Sequence, residues 1–67
     1  MTRTTYRTMD VSELGDRATP ADLVEFRGLC EAAHAIHPDW SDEEITDAVW
    51  GDGDYFANAR RLGVEVE

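Results

Sequence analysis

Between Thr19 and Gly63 the chain is cut by helix starts and stops at intervals that only short helices tolerate. Thr19-Pro20-Ala21-Asp22 opens the first. Thr19 is placed to cap free amides, Pro20 occupies the first helical position where a missing N–H is harmless, and Asp22 suits the positive helix end. Pro38 disfavours the α conformation at His37 and closes it. Ser41 and Glu44 have capping-box spacing and open a second helix, with Trp40 and Ile45 spaced as a hydrophobic staple. Gly51 and Gly53 end that helix, Asp54 caps a third, and Gly63 terminates it behind Arg60 and Arg61. The predicted helices are 20–37, 42–50 and 55–62.

The apolar residues agree with these boundaries. Leu23, Phe26, Leu29, Cys30, Ala33, Ile36 and His37 make one stripe at helical spacing. Ile45, Ala48 and Val49 supply the inward face of the second helix, and Phe56 (or Tyr55), Ala59 and Leu62 that of the third. Ahead of them, the threonine-rich Arg3–Met9 segment prefers an extended strand. Asp10-Val11-Ser12-Glu13 followed by Gly15 predicts one isolated helical turn. Val64-Glu65-Val66-Glu67 alternates with period two, so an acidic strand there would set Glu65 and Glu67 against Arg3 and Arg7. The expected fold is mostly α: a compact three-helix bundle with an extended N-terminal segment, free to pair with a short C-terminal strand. Its divisions are 1–18, the extended segment; 19–63, the three-helix domain; and 64–67, the short strand or tail.

The spacing of Leu29 through Leu62, with Ile36-His37-Pro38 closing one helix and Gly51-Asp52 between the next two, resembles the ubiquitin-associated and CUE three-helix domains over roughly residues 23–64. The resemblance implies a shape. Ile36-His37-Pro38 stands where the CUE pattern has Met-Phe-Pro, and Arg61 precedes Leu62 where it has paired leucines, so no function is carried over.

Length and charge exclude whole classes of activity. Sixty-seven residues bury only ~60% of their unfolded surface and cannot enclose a deep substrate cleft. Fifteen acidic residues against six basic ones give a net charge of −9, with no lysine, so nucleic acid and anionic membrane are repelled. Cys30 is the single cysteine, which rules out an internal disulfide and suits a reducing compartment. The longest apolar runs are Ala48-Val49-Trp50 and Tyr55-Phe56-Ala57, too short for a signal peptide or a span. The expected location is cytoplasmic.

Four constellations reduce to ordinary structure. Cys30, His34 and His37 are spaced i, i+4, i+7, a zinc-like set that Asp39 would complete, but all three share one helix with no second element to close the shell. Gly51-Asp52-Gly53-Asp54 lacks the EF-hand spacing and its distant Glu, and reads as a helix stop followed by a cap. Cys30 and His34 form no nucleophile–base pair with a third orienting group and an oxyanion loop. The basic arm 3–7, with the strand-then-helix order of ribbon-helix-helix repressors, carries two arginines against a strongly acidic remainder. No catalysis, metal or cofactor is expected, and no direct contact with nucleic acid.

Two features remain. Residues 39–54 hold Asp39, Asp42, Glu43, Glu44, Asp47, Asp52 and Asp54 without one cation. Without opposite charges at i,i+4 such a cluster repels itself, which points to use at the expense of stability. Trp50 stands about 140° around its helix from Ile45 and is predicted to face away from the Ile45-Ala48-Val49 side, where it either anchors an interface or packs under the N-terminal segment. The expected function is a small non-enzymatic binding protein, a regulator or inhibitor whose acidic surface docks on a basic, nucleic-acid-handling protein as a nucleic-acid mimic. Small acidic inhibitors of phage and mobile elements are the analogous class. The expected contact residues are Asp42, Glu43, Asp47, Asp52 and Asp54 as a charged rim, with Trp50 and Tyr55 as anchors. The alternative is a structural or adaptor module joining an assembly through its N-terminal strand; monomer and homodimer both fit.

Overall fold

A computed structural model describes residues 4–66. Four helices follow one another: α1 (Val11–Leu14), α2 (Pro20–Ile36), α3 (Asp42–Trp50) and α4 (Tyr55–Arg61). Each starts on a side chain that the sequence supplies. Asp10 accepts from the Val11 amide at α1. Thr19 with Asp22 and Ser41 with Glu44 form complete capping boxes at α2 and α3. Asp54 accepts from the Ala57 amide at α4. The expected helix positions hold to within one residue.

The helices α2, α3 and α4 pack mutually, with α1 laid against α2. Their shared core consists of Leu23, Phe26, Cys30 and Ala33 from α2, Ile45 and Val49 from α3 and Ala59 from α4, closed by Tyr6, Met9, Leu14 and Val64. The α2 stripe is narrower than expected, because Ile36 is 47% exposed near the helix end. On α4 it is Tyr55 that turns inward, and Phe56 that stays outside.

No strand forms among the described residues. At the N-terminal end the threonines fold the chain back on itself instead of extending it. The Thr8 amide donates to the Thr5 carbonyl, the Thr5 amide to Thr8 Oγ1, and the Arg7 amide to Thr5 Oγ1. Such local side-chain bonds compete directly with strand pairing. At the C-terminal end a Schellman turn closes α4: the Val64 amide donates to the Ala59 carbonyl and the Gly63 amide to Arg60, with Gly63 at φ 102°. That turn drives Val64 into the core rather than along a sheet edge. Arg7 pairs with Asp42; Arg3 and Glu67, two of the four residues in the expected cross-strand pairing, lie outside the described residues.

A polar clamp fastens the N-terminal turn to α2 and α3. The Tyr6 ring is buried, its amide donates to Thr46 Oγ1 at 2.8 Å, and Thr46 donates in turn to the Asp42 carbonyl. Arg27 on α2 donates Nε to the Tyr6 carbonyl and a terminal nitrogen to the Met9 carbonyl at 2.7 Å. A guanidinium is suited to this role because its fixed fork of donors reaches two acceptors at once.

Candidate partner-binding surface

Helix α3 buries Ile45, Thr46 and Val49, half-buries Asp42, Ala48 and Trp50, and exposes Glu43, Glu44 and Asp47. Glu43, Asp47 and Trp50 fall at i, i+4 and i+7 and so share one stripe. Glu43 and Asp47 are exposed, and Trp50 is half-buried at the stripe's end. Beyond it, exposed Asp52 and Asp54 continue the negative charge through the turn into α4.

Several carboxylates of this run also hold the fold together, which corrects the expectation that the cluster only costs stability. Asp42 receives a cation from outside the run: Arg7 Nε donates to its Oδ2 at 3.0 Å, and the bond holds the Arg7 guanidinium in its charged form. Glu44 completes the capping box of α3. Asp52 accepts from the Asp54 amide and from Asn58 Nδ2, and these donors pull its carboxyl below the usual range. Asp54 caps α4. Carboxylates at helix N-termini are stabilising through the free amides and the helix dipole.

The aromatic pair lies partly in the core. Trp50 and Tyr55 are near-parallel, 12° apart with ring centroids at 6.3 Å. Both meet fully buried Phe26 edge-on, at 5.7 and 5.4 Å. Trp50 therefore cements α3 to α2 while its remaining surface faces out, and the outward orientation predicted from the helix angle alone is only half realised. Burial raises the Tyr55 phenol, helped by the nearby Asp22 and Glu25 carboxylates.

The two histidines of the zinc-like set are engaged elsewhere. His34 Nε2 donates to the Trp40 carbonyl at 2.7 Å, while its Nδ1 lies 3.0 Å from the Tyr6 hydroxyl and 3.4 Å from Asp42 Oδ1. His37 Nε2 donates to the Leu62 carbonyl, tying α2 to α4, and its ring stacks on Trp40. Cys30 is buried, and burial pushes its thiol up to about 12. Among the described residues no three His, Cys, Asp or Glu side chains are grouped to hold a metal ion, and no helix is long and apolar enough to cross a membrane.

Sequence reasoning missed Asn58. It is buried on α4, and its Nδ2 donates to the Val49 carbonyl at 2.9 Å and to Trp50 at 3.2 Å, capping α3 from another helix. The signal was present: an amide flanked by Ala57 and Ala59 on the inward side of a short helix. Compared with known proteins, the chain matches no family model, no curated protein and no solved structure.

Proposed function

We propose that the chain is a non-enzymatic binding protein whose acidic α3 surface docks on a basic protein. The observation that carries this reading is the outward stripe of Glu43, Asp47 and Trp50, extended by exposed Asp52 and Asp54, in a stretch without a cation of its own. Fixed carboxylates on a rigid helix present negative charge as a nucleic-acid backbone does, and a half-exposed tryptophan at their end adds an interface anchor. The natural target is a nucleic-acid-handling protein in the cytoplasm, inhibited by occupation of its channel, as small phage and mobile-element inhibitors do. An adaptor working through the N-terminal segment finds less support. The Tyr6 amide, the Tyr6 carbonyl and the Met9 carbonyl are already bonded to Thr46 and Arg27.

The test is capture on immobilised wild type and on a Glu43→Gln/Asp47→Asn double variant, which leaves every capping residue in place. A partner held by wild type at low salt, lost from the variant and displaced by duplex DNA or RNA supports the reading, because screening acts on exposed charge. Undiminished capture by the double variant overturns it.

A further inference from the structure

Beside the acidic stripe, the loop between α1 and α2 and the turn between α3 and α4 enclose an open groove of about 430 Å³. Leu14, Asp16, Arg17 and Asp22 line it together with the rings of Trp50 and Tyr55. The two rings are held by Phe26, which is fully buried and edge-on to both, so the aromatic wall is rigid before anything binds. Rigid walls reduce the ordering entropy that binding must overcome. Asp22 uses Oδ2 on the Thr19 amide, which leaves Oδ1 outside that bond. The Tyr55 ring feels both the Asp22 and Glu25 carboxylates. An aromatic face backed by carboxylates attracts a cation and repels a phosphate. A planar guanidinium fits such a site better than an ammonium, since it lies flat on a ring and still donates in-plane to a carboxylate.

We propose that this groove seats an arginine side chain of the basic partner, its guanidinium against the Trp50–Tyr55 wall and bonded to the Asp22 carboxylate. The proposal rests on the basic-partner reading and names the side chain that the partner inserts. Arg17 lines the same groove with like charge and opposes the guest.

Tetra-arginine and tetra-lysine peptides, titrated into the ¹⁵N-labelled full chain at low salt, test this. The Trp50 indole N–H is assigned by comparison with Trp40→Phe. It shifts saturably with tetra-arginine, and arginine binds about 2- to 5-fold tighter than lysine. Asp22→Asn weakens tetra-arginine binding several-fold while keeping an oxygen for the Thr19 amide, and Arg17→Gln strengthens it. Equal affinity for the two peptides, or a Trp50 shift indifferent to Asp22→Asn, overturns the proposal. If the amides of Glu43 and Asp47 shift while Trp50 stays still, the groove is refuted and the acidic surface stands. If nothing shifts, the basic-partner reading fails as well. Should circular dichroism show Asp22→Asn unfolded, exposed Arg17 decides: no gain in affinity on Arg17→Gln refutes the groove.

Discussion

Gly51 and Asn58 stand so close that a Cβ at position 51 would lie 2.6 Å from Asn58 Nδ2. Gly51 also holds φ at 47°, where a side chain is strained. This contact lets one amide of α4 close the end of α3. Gly51→Ala should therefore destabilise by about 2–3 kcal/mol in urea denaturation. Asn58→Ala should cost about 1–3 kcal/mol, because the Val49 carbonyl loses its donor. The double variant should lose less than the two singles summed, since removing Asn58 makes room for the new methyl. Strict additivity would mean that the two residues do not share one constraint.

Arg27 is the second structural expectation. Its two bonds to the Tyr6 and Met9 carbonyls hold the N-terminal turn against α2. Arg27→Met keeps most of the stem and removes both donors, with a loss of about 2–3 kcal/mol expected. Hydrogen exchange should then accelerate at the Tyr6 and Thr8 amides while the middle of α2 stays protected. Uniform acceleration throughout the chain would show that the clamp is not a separable unit.

The buried thiol predicts an alkaline slope. Cys30 ordinarily titrates at 9.0 and is pushed up to about 12 in the fold. Its folded pKa is raised, so the folded chain keeps a proton that the unfolded chain releases. Stability from this source is complete below about pH 9 and falls as pH rises towards 12. Tyr6 and Tyr55, both raised by burial above 10.0, steepen the decline at its upper end. Cys30→Ala should lower stability near neutrality by about 1 kcal/mol through the space it opens, yet flatten the slope between pH 9 and 10. Native protein should also resist a thiol reagent that labels the unfolded chain at once.

Trp50 is expected to serve two ends at once. Trp50→Ala should destabilise by about 1–3 kcal/mol, less than a fully buried ring, because Trp50 is packed on Phe26 along only part of its surface. It should also weaken partner binding at every salt concentration, since its contribution comes from buried area. Thermal stability equal to wild type would contradict the packing on Phe26.

The positions of the helices were legible in the chain because capping is a local matter. Thr19 with Asp22, Ser41 with Glu44, and Asp54 each bond to amides within three residues, so spacing alone locates them. The N-terminal segment was not legible in this way. Its threonines suit a strand, but Tyr6 finds Thr46 forty residues away, and Arg27 reaches the Tyr6 and Met9 carbonyls from α2. The choice between Tyr55 and Phe56 likewise depended on where Phe26 came to rest. The acidic run was plain as charge, yet its energetic sign was not. Arg7 reaches Asp42 only after the turn is clamped, and Asn58 reaches Asp52 only after α4 packs on α3. Local hydrogen bonds of fixed spacing can be read along a sequence; partners distant in the chain are chosen by packing, which no single segment encodes.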